Sequence, residues 1–114
     1  MTRDDEPDPD PRKIDCDDPQ RLLILAYTRL FLLPERADGS KLTCIASFGN
    51  YDVRLIELPL SRSASVPPLW VELYDRADGR AIDSVGCHDL QDAGVATEAL
   101  VAEAVRRNTL TAPR

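Results

Sequence analysis

With 114 residues, 43% of them apolar, and a formal charge of −6, the chain is long enough for one core but carries no electrostatic drive toward nucleic acid. Three cysteines without a CxxC pair argue against a secreted disulfide framework, and a single histidine argues against a zinc centre. The longest apolar stretch, Leu22–Leu33, is broken by Thr28 and Arg29 and is too short to span a bilayer as a helix.

The acidity is concentrated at one end. Residues 1–19 hold eight acids and three bases, net −5, which leaves −1 for residues 20–114. Four of the nine prolines lie there too, and Ile14 and Cys16 are the only side chains suited to a core. Such a segment buries too little apolar surface to offset the entropy of ordering it. Residues 1–18 are therefore expected to form a disordered acidic tail, 19–108 a single domain, and 109–114 a frayed end. An acidic, proline-rich start is unlike a signal peptide, so reduced thiols and a cytoplasmic location are expected. Twelve arginines against two lysines suggest a GC-rich bacterial genome.

Asp18-Pro19 opens the first element, with Asp as N-cap and Pro at the first helical position. Leu22, Leu23, Ala26, Tyr27, Leu30 and Leu33 follow at helical spacing until Pro34, predicting a helix over 19–33. This helix has only a narrow wet strip near Arg21, Thr28 and Arg29. Ile24, Leu25 and Leu32 fall on or beside it, which an ordinary amphipathic surface helix avoids. A competing reading rests on a repeat. Arg36-Ala37-Asp38-Gly39 recurs as Arg76-Ala77-Asp78-Gly79, and a duplicated hairpin turn would make Leu30–Leu33 a strand.

Residues 41–48 and 51–58 flank Gly49-Asn50, a two-residue hairpin loop. That loop predicts Phe48 opposite Tyr51, Ala46 opposite Val53 and Cys44 opposite Leu55, all on one apolar face. Thr43, Ile45, Ser47, Asp52, Arg54 and Ile56 fall on the other, mixed face. Residues 59–68 read as an exposed connection. A second hairpin runs from Leu69 to about Arg76, turns at Ala77-Asp78-Gly79, and returns from Arg80 to about Gly86. A helix is predicted from Leu90 to Arg107, capped by Asp89, with Leu90, Ala93, Thr97, Leu100, Val101, Ala104 and Val105 inward. Gly94 suggests a close approach of this helix to the sheet. The fold class is α+β: a four-stranded antiparallel sheet of two hairpins, flanked by an N-terminal and a C-terminal helix, in a two-layer sandwich.

Few residues offer chemistry. Cys87-His88-Asp89 places a thiol, an imidazole and a carboxylate side by side, but successive side chains diverge, whereas a nucleophile and its base must converge. The expected roles are a strand end, a loop residue and a helix cap. No phosphate-binding glycine loop is present, and Ser61-Arg62-Ser63-Ala64-Ser65 reads as a solvated loop. The order of elements is similar to double-stranded-RNA-binding domains, but the last helix opens on Cys-His-Asp-Leu-Gln-Asp where phosphate contacts need lysines. Residues 69–104, with Leu-Trp-Val-Glu-Leu-Tyr-Asp, then Asp-Gly, then Val-Gly-Cys-His-Asp-Leu-Gln-Asp-Ala, resemble the ββα core of HicB-type antitoxins, although the Pro-Asp-Leu-Pro-Gly segment usual in that family is absent. The resemblance is one of shape and carries no functional residue with it.

The more specific signal is a surplus of apolar side chains. Ile24, Leu25 and Leu32 on the first helix, and Ile45, Ile56, Trp70 and Tyr74 on the sheet, exceed what a one-sided core can hide. Either the first helix covers the second face of the sheet, or these residues meet a partner. The chain is expected to be a small, non-catalytic interaction or accessory protein. It would act through a protein partner or as a homodimer, with Ile24, Leu25, Leu32, Trp70 and Tyr74 as interface candidates. No cofactor, metal, nucleic acid or membrane is expected. The alternatives are a thiol-dependent enzyme or redox sensor using Cys87 and His88, and an antitoxin-like inhibitor of a basic partner.

Overall fold

Asp18 caps the first element, and its carboxylate accepts a hydrogen bond from the Arg21 amide at 3.1 Å. A computed structural model describes residues 18–59 and 66–111. The expectations for residues 1–17, for 112–114 and for 60–65 of the connecting loop lie outside the described residues. The elements are α1 (Pro19–Leu30), β1 (Lys41–Phe48), β2 (Tyr51–Glu57), β3 (Leu69–Asp75), β4 (Arg80–Cys87) and α2 (Leu90–Thr111). The expected architecture holds: a four-stranded antiparallel sheet in the order β1-β2-β3-β4, with both helices packed on one face of it. The first helix therefore does not cover the second face of the sheet.

Segment 19–33 is helical rather than extended, but regular α-helix ends at Leu30, ahead of the expected stop. A tighter turn follows, in which the Leu32 and Leu33 amides donate to the carbonyls of Arg29 and Leu30. The repeated Arg-Ala-Asp-Gly is a turn both times, ending on Gly39 (φ 86°) and Gly79 (φ 70°). The first copy joins a helix to a strand and the second joins two strands, so the repeat encodes a turn and not its neighbours. At the other end of the chain, α2 continues to Thr111, past the expected end at 107.

In the first hairpin, Gly49 takes φ 63° while Asn50 does not, so the two-residue loop has a glycine in its first central position. Phe48 faces Tyr51 and Ala46 faces Val53, as the loop predicts. The register then slips. A bulge between Cys44 and Ala46 sets Cys44 opposite Arg54 and Thr43 opposite Leu55. The expected Cys44–Leu55 pair is thereby replaced, and Thr43 and Ile45 become the buried residues of β1. Ile45, expected on the mixed face, belongs to the core because one extra residue turns the strand over.

One core results. Leu22, Leu23, Ala26 and Leu30 of α1 and Ala93, Ala96, Leu100, Val101 and Ala104 of α2 meet the inner face of the sheet at Val53, Leu55, Val71, Leu73 and Cys87. Leu23, Leu30, Leu55 and Leu73 are fully enclosed, each worth about 1.5–3 kcal/mol of burial. Val105, expected inward, is exposed. Gly94 makes its close approach to Gln20 of α1 rather than to the sheet; a Cβ there would stand 2.4 Å from the Gln20 amide oxygen. At the hairpin ends, Arg76 ties the two turns together. Its guanidinium pairs with Asp52 (3.2 Å) and donates to the Gly49 carbonyl, and its amide donates to Asn50.

Candidate functional site

The thiol region does not assemble. Cys87 ends β4 wholly inside the core, its Sγ donating to the Val85 carbonyl at 3.4 Å. Burial raises the pKa of this thiol above its ordinary value, and the nearby charges of Asp92 and Asp89 push the same way. Such a thiol stays protonated and is a poor nucleophile. His88 is exposed. The Asp89 carboxylate accepts from the Asp92 amide (2.8 Å), while the Asp92 carboxylate accepts from the His88 amide (3.2 Å). The two acids cap α2 reciprocally, much as a capping box does, and both are occupied by that structural task. Among the described residues, no group of three His, Cys, Asp or Glu could hold a metal ion, and no helix is long and apolar enough to cross a membrane.

Two surfaces carry the apolar residues that the sequence singles out, and they accommodate them differently. The open face of the sheet carries a set of paired side chains. Arg54 lies opposite Glu72 across β2 and β3 and pairs with it at 2.7 Å, both side chains being largely covered. The same guanidinium lies over the Tyr74 ring, 3.9 Å from its centre. Trp70 stands opposite Ile56 and opposite Gly86, and its indole nitrogen donates to the Pro67 carbonyl at 3.0 Å. Gly86 is required for this packing: a Cβ would approach the Trp70 ring to 3.1 Å and Pro67 to 2.9 Å. Trp70 and Tyr74 are therefore half-buried against their own neighbours, with their polar atoms or ring faces engaged. The shallow depression beside Trp70, about 370 Å³, is lined by Ile56, Leu58, Val66, Glu72 and Ser84.

The outer face of α1 has no such arrangement. Ile24 is 51% exposed, Leu25 46%, Phe31 65% and Leu32 84%. Ile24, Leu25 and Thr28 share one side of α1, and Phe31 and Leu32 follow at three- and four-residue spacing in its C-cap and the tighter turn beyond. Together the four apolar residues expose the equivalent of about two and a half whole ones, on the order of 370–490 Å² at roughly 150–200 Å² each. That is the size of the largest apolar patch on a typical monomer, about 300–600 Å², which is often a functional surface. Phe31 is held in place by an edge-on contact with Tyr27, ring centres 5.0 Å apart. The sequence pointed to Ile24, Leu25 and Leu32. Phe31 was not among them, although it carries the same signal, lying three residues past Thr28 as Leu32 lies four past it.

The polar residues beside this stripe are turned away from it. The Thr28 hydroxyl donates to the Ile24 carbonyl at 2.9 Å, so it is bonded within its own helix. Arg29 reaches sideways, and its guanidinium donates to the Cys44 carbonyl at the β1 bulge at 2.7 Å. That contact also covers a main-chain acceptor on an edge strand. The opposite edge, β4, carries its own protection. It has a bulge between the Asp83 and Ala81 pairs, and Asp83 stands opposite the core residue Leu73, placing a charge on the inner side of the edge. Both edges thus resist adding a strand, while the helix stripe is open. Comparison of the chain with protein-family models, with curated proteins and with solved structures finds no match.

Proposed function

We propose that this chain is a small, non-catalytic protein-interaction module that works as a homodimer formed through the outer face of α1. The observation carrying this reading is the stripe of Ile24, Leu25, Phe31 and Leu32, exposed on a helix whose adjacent polar groups bond elsewhere. Two copies of the patch amount to roughly 740–980 Å², so rim residues must add to it before it passes the ≈ 1,000 Å² that a specific interface requires. A Cys87 that is buried and held protonated offers no support to a thiol enzyme, and the acids near His88 are engaged in capping.

Sedimentation equilibrium of the full chain tests the reading. The wild type is expected to dimerise at tens of micromolar, and Ile24→Glu with Leu25→Glu to leave a folded monomer with unchanged far-ultraviolet dichroism. A wild type that stays monomeric at several hundred micromolar refutes it. Unfolding of the double variant would instead place those two residues in the core.

A further inference from the structure

Resting on the reading above, we infer that the second copy docks antiparallel, with a two-fold axis passing beside Thr28. Four observations converge on that geometry. Along this side the residues read Arg21, Ile24, Leu25, Thr28, Phe31 and Leu32, with Glu35 following in the irregular segment past the end of α1, so an apolar middle has a positive charge before it and a negative one after it. Arg21 and Glu35 are both exposed. An antiparallel arrangement centred on Thr28 sets Ile24 against the second copy's Leu32 and Leu25 against its Phe31. It also sets Arg21 against the second copy's Glu35, twice per dimer. A parallel arrangement would instead face Arg21 with Arg21 and Glu35 with Glu35, which costs energy at both ends.

The residue on the axis suits the position. A hydroxyl facing its own copy in a closing interface would lose water, but the Thr28 hydroxyl already has a partner in the Ile24 carbonyl. Arg29, the other polar group near the seam, is drawn to the Cys44 carbonyl and leaves the contact apolar. At the far end of the stripe, Phe31 and Glu35 border a depression of about 320 Å³ that also holds Lys41 and Glu57. The second copy's Arg21 arrives at this depression, where two carboxylates outnumber one ammonium. An isologous contact of this kind closes on itself, so it makes a dimer and not a fibre.

Charge exchange across the seam tests the orientation, read as the dimer dissociation constant of the full chain by sedimentation equilibrium. Arg21→Glu and Glu35→Arg should each weaken the dimer about tenfold, because two attractive pairs become repulsive at once. Carrying both changes in one chain should restore the wild-type constant to within about twofold, and 0.5 M salt should shrink the single-variant effects. Arg21→Glu suits the dipole at the start of α1, and Glu35 is exposed outside any helix or strand, so neither substitution should cost folding. A wild-type dimer that Ile24→Glu disrupts but that is indifferent to either single exchange overturns the antiparallel seam and leaves the interaction module standing. Failure of the paired exchange to restore a folded dimer overturns it equally. A monomeric wild type overturns both and leaves the stripe to a different protein.

Discussion

The open face of the sheet and the outer face of α1 are both richer in apolar residues than a solvent-facing surface needs, and the molecule handles them in opposite ways. On the sheet, each large side chain has a neighbour on the adjacent strand. Trp70 covers Gly86 and bonds to Pro67, Arg54 joins Glu72 and lies over Tyr74, and Asp52 holds Arg76. Cross-strand pairing is how a sheet stabilises an exposed face without a second layer. On α1, the corresponding neighbours along the helix are a self-bonded threonine and an arginine that points elsewhere. Apolar exposure on the sheet is thus resolved within the protomer, and on the helix it is not. Substitution should therefore separate folding from association: changes on the sheet face should alter stability, and changes on the helix face should alter assembly.

The largest effect is expected from Trp70→Ala. The side chain is half-buried, so the loss should be about 2 kcal/mol, below the 3–5 kcal/mol of a fully enclosed aromatic. Urea unfolding should register it as a lower midpoint with unchanged slope. The dimer constant should not move. A change in association larger than the change in stability would mean that the sheet face is itself an interface, and the comparison would collapse.

The contrast between the faces was only partly legible in the sequence. Gly49-Asn50 located the first hairpin and its first two residue pairs, because a two-residue loop leaves no freedom of register next to it. Further along the same strand the prediction failed at Cys44 and Ile45. A bulge has no reliable sequence signature, yet it exchanges the inner and outer faces for every residue beyond it. The mixed polarity of β1 made either face tolerable, so periodicity alone could not object. Ile24, Leu25 and Leu32 were legible as misplaced because helical spacing is strict and Asp18-Pro19 fixed its phase. Their alternative explanation, a helix laid over the second face of the sheet, was excluded only by seeing α1 and α2 on one side. Trp70 and Tyr74 looked equally suspect, and what distinguishes them is three-dimensional: Gly86 and Arg54 are remote in sequence and adjacent in the sheet.

A smaller effect, in the layer beneath both faces, comes from pH. Burial holds the Cys87 thiol above its ordinary pKa of 9.0 in the folded chain, while the unfolded chain ionises near the ordinary value. A group whose folded pKa is raised contributes stability that is fully present below the unfolded pKa and is lost as pH climbs through the folded one. Stability should therefore decline above about pH 9, and Cys87→Ala should flatten that part of the profile while lowering stability at neutral pH. The proposed association through α1 would involve no part of this thiol, so the dimer constant of the folded chain should not follow Cys87 ionisation. A thiol that reacts with iodoacetamide at neutral pH as fast as a free model thiol would contradict the burial from which this prediction starts.

The smallest expected change in stability belongs to Leu32→Ser, and it tests the helix half of the comparison most directly. Leu32 is 84% exposed, more than any other large apolar residue described, and it lies beyond the regular helix, where propensity has little hold. Removing its side chain takes almost nothing from the protomer, so the unfolding free energy should stay within about 0.5 kcal/mol of wild type. In the proposed two-fold contact the same substitution would delete apolar area from both halves, since each copy would contribute one Leu32. A single mutation should then weaken the dimer while leaving the fold intact, the reverse of the pattern expected at Trp70. Equal losses in both measurements would show that Leu32 is packed within its own protomer in solution, and the stripe would no longer be an open surface.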